Sequence, residues 1–399
     1  MITKNISKRV YQPEVELLLS CARTQMDAEN ALQVQALVQT GLDWNVLLSM
    51  AGRNGMTPLL FKHLRDHSLE GIPKYVLGYL RDYYRHNAVR NLLLIETLLD
   101  LLDQFKLEGI KAIPFKGPVL AASLYGDLAL REFGDLDILI RRHDLFRANE
   151  LLISLGFQPE FQSPSKKEAL YLQCEHSFSH EAAGTLVDLH WTLEPTYFSF
   201  ASDLEALWGR LESVSLEGRE ISSLCPQDLF TALCIHGARH AWERLDWICD
   251  LGEFLCIHTD MDWYRLLEQA HSRGCKRMIS LGLYLARELL GVDITEKLGN
   301  QLQVDHVVRS LADQVYERLF LQTNDEDRLL ERRYSYVRTM DRFRDRIRHC
   351  YDLLITPTPL EWELLRLPAS LFFLYYLIRP MRLAAKYMTA PMRLISHAN

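Results

Sequence analysis

The sequence predicts an α+β fold, mainly helical overall, with one compact α/β unit set between helical regions. Three observations predict it. Apolar residues recur at three- and four-residue spacing across most of the 399 residues, as one buried face of a helix requires. Between about residues 108 and 192 that period gives way to short β-rich runs such as IKAIPF at 110–115 and DLDILI at 135–140. The composition, 48% hydrophobic and 24% charged, is that of a globular chain long enough for two or three domains around sizeable cores.

Residues 1–107 read as an N-terminal helical region. Its first stretch, MITKNISKRVYQPEVELLL, carries early positive charge, but Pro13, Glu14 and Glu16 interrupt any signal-peptide core, and a cytoplasmic chain is expected. Asp43 before Trp44 and Thr57 before Pro58 read as helix N-caps. In the α/β unit, IKAIPF is a strand, PVLAASLYG a helix and DLDILI a strand with one polar face. RRHDLFRANELLISLG follows as a helix, capped by Asp144 and ended by Gly156, and LQCEHSFSH and TLVDLHW flank EAAG as a hairpin. Pro226 then opens the helix of QDLFTALCIHGARHAWERLDWICDLGEFL, and amphipathic helices continue to about residue 320.

TNDED at 323–327 reads as a solvated loop and RTMDRFRDRIRH at 338–349 as a solvated helix face. After Glu363 the chain has Arg366, Arg379, Arg382, Lys386 and Arg393 and no acid. The apolar segment LPASLFFLYYLI, 367–378, falls short of the ~18–20 residues a spanning helix needs. Residues 367–386 are expected either to pack on the core or to make a weak contact with a membrane surface or partner. The net charge of −7 and pI near 6.1 argue against broad electrostatic binding to nucleic acid. Eight scattered cysteines without a CxxC pair fit reduced thiols.

The chemistry-bearing stretch is FKGPVLAASLYGDLALREFGDLDILI, residues 115–140. Asp135 and Asp137 stand two apart on a strand, hence on one face and roughly 6.5–7 Å apart at the backbone. With about 5 Å between charges and an effective dielectric near 20, their repulsion is on the order of 3 kcal/mol, which a cation would offset. A hard divalent ion, Mg²⁺ or Mn²⁺, is commonly held by one or two carboxylates plus substrate phosphates. Asp188 in TLVDLHW sits in apolar company where an unpaired carboxylate is costly, and is the third acid for a two-metal site acting at phosphorus. Lys116 and Gly117 end the preceding strand, so the helix after them would bring backbone N–H groups to a phosphate. A DxD pair on a solvated strand edge is the bland alternative.

Arg131, four and six residues before the aspartates, is placed to reach a polyphosphate or to pair with Asp135. His190, on the strand face of Asp188, donates to that carboxylate or to substrate, or is structural. Tyr125 and Trp191 read as core. His236, His240 and Arg244 fall at four-residue spacing on one expected helix. Without a third ligand or an HExxH glutamate, they read as a stripe lining the cleft rather than a zinc site. Hydrogen bonding within a helical interface is the plainer reading, with Asp246 and Asp250 as surface pairs.

The 115–140 stretch, followed by VDLHW and HGARHAWERLDWICD, resembles a largely uncharacterised bacterial nucleotidyltransferase family of the polymerase β superfamily. DWNVLLSMAGRNGMTPLL and LFFLYYLIRP extend the resemblance over most of the chain. It implies a minimal polymerase β-like nucleotidyltransferase core with a mixed sheet over residues 108–222. Flanking that core would be the N-terminal region 1–107, a helical domain 223–322 closing the cleft, and a basic C-terminal helical region 323–399. Asp135, Asp137 and Asp188 would be the metal-binding, catalytic acids. Lys116, Gly117, Arg131, His190, His236, His240 and Arg244 are then the candidate nucleotide contacts.

The implied reaction moves a nucleoside monophosphate from a nucleoside triphosphate, ATP first among them, to a small-molecule, sugar, peptide or protein acceptor. One departure stands out. The superfamily has Gly-Ser where this chain has Lys116-Gly117, with 18 positions from Gly117 to Asp135. Two other readings follow: a non-catalytic nucleotide- or partner-binding module with the same fold, and a phosphotransferase.

Overall fold

The computed structural model describes residues 12–67, 71–160, 174–182, 184–193, 204–294, 304–321 and 325–396. Four N-terminal helices, α1 (Pro13–Ser20), α2 (Ala28–Val38), α3 (Trp44–Arg53) and α4 (Thr57–Asp66), precede the long α5 (Lys74–Leu107). Asp43 caps α3 as expected, accepting from the amides of Asn45 and Val46. Thr57 does not cap α4: it is already the first helical residue, buried, and Met56 stands at the cap.

The α/β unit carries β1 (Ala112–Pro114), a helical segment α6 (Pro118–Leu120) continued by a π turn (Ala121–Tyr125), and β2 (Asp135–Ile140). Next come α7 (Leu145–Ser154), β3 (Gln158–Pro159), β4 (Glu175–His180) and β5 (Thr185–His190). The strands form one sheet in the order β1-β2-β5-β4-β3, with β2 and β5 parallel and the other neighbours antiparallel. The β4–β5 hairpin and the end of α7 just before Gly156 agree with the sequence reading; Gly156 takes φ +91°. Asp144 departs from it. Its carboxylate makes no cap bond to an α7 amide and instead takes Arg147 at 3.1 Å. After α8 (Leu204–Trp208), a second hairpin of β6 (Glu212–Leu216) and β7 (Arg219–Ser223) follows, which the sequence analysis did not identify.

Strand alternation sorts the sheet into two faces. Leu136, Ile138 and Ile140 of β2 and Val187 and Leu189 of β5 join a core with α7 and the second half of α5. The opposite faces carry Asp135 and Asp137, and Asp188 and His190, with Asp137 directly beside Asp188 in the parallel register. That second face meets the helices α9 (Pro226–Arg239) and α10 (Leu245–Ile257), which are followed by α11 (Trp263–Arg273) and α12 (Lys276–Leu290). Residues of α1–α4 share a single larger core with α9–α12, and with α13 (His306–Phe320) and α14 (Asp325–Thr339).

The chain reverses sharply between α9 and α10. Ala241 and Trp242 both take positive φ, 54° and 53°, and the Trp242 indole lies over Gly237. His236, His240 and Arg244 therefore do not share one helix: α9 ends at Arg239, His240 follows it, and Arg244 precedes α10.

Three helices end the chain, α15 (Phe343–Ile355), α16 (Pro359–Leu364) and α17 (Tyr375–Ser396). A small separate core of Trp362, Phe372 and Tyr375 lies among them. The loop expected at 323–327 is helical from Asp325; residues 322–324 lie outside the described residues. The basic run at 338–349 is interrupted between α14 and α15 and is not wholly solvated, because Met340, Asp345 and His349 are buried. Among the described residues no helix is long and apolar enough to cross a membrane, and all eight cysteines are free thiols.

A methyl added at Gly237 would lie 2.5 Å from the Trp242 ring. Helix propensity favours Gly→Ala by about 1 kcal/mol, so a loss would report the overpacking alone. Gly237→Ala is expected to destabilise the protein by about 1–3 kcal/mol in denaturant unfolding.

A carboxylate cleft between sheet and helices

A cleft of about 530 Å³ opens between the acidic sheet face and α9–α10. All ten candidate residues line it: Lys116, Gly117, Arg131, Asp135, Asp137, Asp188, His190, His236, His240 and Arg244. Asp137 is its buried centre, 5% exposed. Lys116 Nζ lies 2.8 Å from its Oδ1, and His190 Nε2 lies 2.9 Å from the same oxygen. Burial opposes the charge, yet Lys116 and His190 outweigh it and hold the Asp137 carboxyl well below the usual carboxylate range. His190 thus serves Asp137, not Asp188 as the strand face suggested, because the parallel register sets the two strands side by side.

Asp135 and Asp188 are shifted the other way. Burial first, then the Asp137 charge, push the Asp135 carboxyl up to about 6. Burial raises Asp188 too, partly offset by a hydrogen bond with the Ser177 side chain. Atoms of Asp137, Asp188 and His190 lie within 4.8 Å of one another, near enough to share a metal ion. Asp135 stands beside this group rather than in it. The donors suit a divalent ion: two carboxylates supply hard oxygens and the imidazole a nitrogen.

The backbone before β2 offers phosphate less than expected. Gly117 takes φ +47°, and a Cβ there would lie 3.2 Å from the Asp135 carbonyl oxygen, so the turn is held close to β2. Pro118 has no N–H, and the Val119 amide donates to Lys116 O. The positive group this turn presents is the Lys116 ammonium.

Arg131 does not pair with Asp135. Its guanidinium makes a two-point pair with Asp250 on α10, with both contacts at 2.8 Å, and Tyr125 donates to the same carboxylate at 2.8 Å. Asp250 and Asp246 are accordingly buried, 1% and 4% exposed, not surface residues. Arg244 is likewise held by Asp246, at 3.0 and 2.7 Å.

The far wall is aromatic. His236 and His240 lie with ring centroids 4.6 Å apart and planes tilted by 42°, and Trp247 meets them edge-on at 4.9 and 5.7 Å. Burial, with nearby positive groups, holds His236 well below the usual histidine value and His240 down at about 4, so both rings are neutral at pH 7.

The family model described as an uncharacterised nucleotidyltransferase matches residues 40–291. The chain belongs to this family. The match covers the sheet, the cleft and its helical wall and stops at the end of α12. No curated protein matches the chain.

In this member of the family several cleft residues escaped the sequence reading, Trp247, Glu175 and Arg239 among them. Glu175 faces the Nδ1 side of His190 at 3.4 Å and is itself gripped by Arg239 at 2.8 and 3.2 Å. Glu175 pairs with His190 in the hairpin register. Counting back from EAAG would have placed it there. Arg239 lay between two histidines already chosen, but the helix end that turns it inward has no local signature.

Two measurements test these electrostatics. An acid whose folded value of about 6 exceeds the unfolded ~3.9 destabilises the fold above the folded value and ceases to do so below the unfolded one. Asp135→Asn, unfolded in chelator, should therefore gain on the order of 2 kcal/mol at pH 8. The gain should vanish as the pH falls through about 6 toward 4. Asp250→Ala should lose about 3–5 kcal/mol, since it leaves the Arg131 guanidinium buried and unpaired.

Proposed function

We propose that the protein is a divalent-cation-dependent nucleotidyltransferase that transfers a nucleoside monophosphate from a nucleoside triphosphate, with ATP the first donor to test. The observation that carries this reading is the side-by-side register of Asp137 and Asp188, with His190 and Lys116 closing on Asp137. Asp137 and Asp188 would hold the ion, with Asp135 the adjoining acid and His190 orienting Asp137. When bound, the ion would supply positive charge to the phosphate oxygens during in-line displacement.

This chain's own groups supply the rest. Lys116 brings a cation to the polyphosphate. An acceptor hydroxyl oxygen attacks the α-phosphorus, the bond from that phosphorus to the α–β bridging oxygen breaks, and pyrophosphate leaves with the electron pair. Asp188, partly exposed and with its carboxyl raised by burial, is the acid placed to take the hydroxyl proton. The neutral His236, His240 and Trp247 wall offers flat faces to a nucleobase.

One observation favours a second reading. The Lys116 ammonium already compensates Asp137 at 2.8 Å, so the buried carboxylate is balanced within the chain itself. A non-catalytic binding module would have this property too.

Melting temperature is the discriminating measurement, with each nucleoside triphosphate, with and without Mg²⁺ or Mn²⁺, beside Asp137→Asn. A ligand at 100 times its dissociation constant adds about 2.7 kcal/mol. The enzyme reading expects a metal-dependent shift that Asp137→Asn abolishes, and then transfer of α-phosphate label, not γ-label, to acceptor. A shift independent of metal and of the substitution supports the binding module. Transfer of γ-label supports a phosphotransferase.

A further inference from the structure

The region beyond the family match carries an apolar surface that the nucleotidyltransferase core does not use. On α15, Phe343, Ile347, Tyr351 and Leu354 recur at helical spacing and are all exposed, Phe343 by 74%. A second stripe, Phe373, Leu377 and Met381, runs from the turn before α17 into that helix at four-residue spacing, 60%, 60% and 72% exposed. Leu360, Leu364 and Leu365 in and after α16 are exposed as well. Single exposed apolar residues are ordinary, but stripes on successive elements of one unit mark a surface with something to cover it.

The stripes belong to one built unit. Arg379 on α17 donates to Leu353 O at 3.2 and 3.0 Å and pairs with Glu361 of α16 at 3.3 Å. Thr358 and Glu361 close a capping box on α16. The exposure is therefore not fraying: α16, α17 and the turn between them bury their other sides around Trp362, Phe372 and Tyr375, and α15 buries Asp345 and His349.

Charge names the occupant. Residues 338–399 hold ten Lys and Arg against five Asp and Glu, and the remaining chain holds thirty-five against forty-seven. Of the five acids, Asp345 and Glu361 are fully buried, Glu361 beneath Arg379 and Arg382. Arg344, Arg348 and Arg366 stand exposed among the apolar residues. Two copies meeting through this face would bring bases against bases. No helix among the described residues can cross a bilayer, so a lipid contact would lie in the interface plane, where apolar side chains enter and flanking bases meet anionic headgroups.

We propose that α15–α17 form a docking surface for an anionic phospholipid bilayer, with Phe343, Ile347, Tyr351, Phe373, Leu377 and Met381 entering the headgroup boundary. This sets the nucleotidyltransferase cleft at a membrane surface without a spanning helix. It stands whatever the cleft transfers.

The test is co-sedimentation of the full chain with vesicles of phosphatidylcholine alone and of phosphatidylcholine with phosphatidylserine. Binding to the anionic vesicles should exceed binding to the neutral ones by roughly tenfold or more and weaken with added salt. Phe373→Ser/Leu377→Ser/Met381→Ser and, separately, Phe343→Ser/Ile347→Ser/Tyr351→Ser should each lose it while keeping the parent's melting temperature, since these side chains face solvent. Absence of binding, or equal binding to both vesicles, overturns the proposal. So does a concentration-dependent dimer in sedimentation velocity that the same variants break, which would make a second copy the cover.

Discussion

The buried charge of Asp137 is the constraint around which the cleft is built. A carboxylate 5% exposed is tolerable only if cations and donors meet it, because desolvation otherwise favours its neutral form. Lys116 and His190 meet it from the ends of β1 and β5, and Glu175 and Arg239 then steady His190 from behind. The chain of contacts runs from the sheet through the imidazole to α9. Within that chain of contacts both carboxylates, Asp137 and Glu175, have a cationic partner.

The second tie across the cleft is Arg131 with Asp250 and Tyr125. Pairs so deeply buried contribute little net stability against an apolar replacement, since both ions lose water. Their consequence is geometric. A two-point Arg–carboxylate contact fixes orientation as well as distance, and here it joins the loop before β2 to the middle of α10. The acids of the sheet and the His236–His240–Trp247 wall are thereby held at a set separation. The Gly237–Trp242 contact fixes the turn between α9 and α10 on the same side.

The chain also divides electrically. The part that holds the cleft is strongly acidic, whereas its last sixth or so is basic and carries exposed apolar stripes. A positively charged end and a cleft whose acids want cations suit different partners. The family match ends before the basic end begins. That separation gives one chain two surfaces of opposite charge, each suited to a different ligand.

Much of this was legible in the residues themselves. Periodicity set the α+β class; β-rich runs located β1, β2, β4 and β5; the DxD spacing put Asp135 and Asp137 on one face; EAAG fixed the hairpin that carries Asp188 and His190. These are local properties, governed by backbone periods of 2 and 3.6 and by turn chemistry. Which charge meets which carboxylate was decided elsewhere. Arg131 finds Asp250 across 119 residues, His190 finds Asp137 across 53, and Lys116 finds it across 21. The sequence marked Arg131 as seeking a carboxylate and His236 and His240 as cleft residues, but strand order, parallel register and the positive-φ turn at Ala241–Trp242 selected the partners. A local pattern reports what a side chain requires; only the packed chain determines which group supplies it, because ion pairing depends on distance through space and not along the backbone.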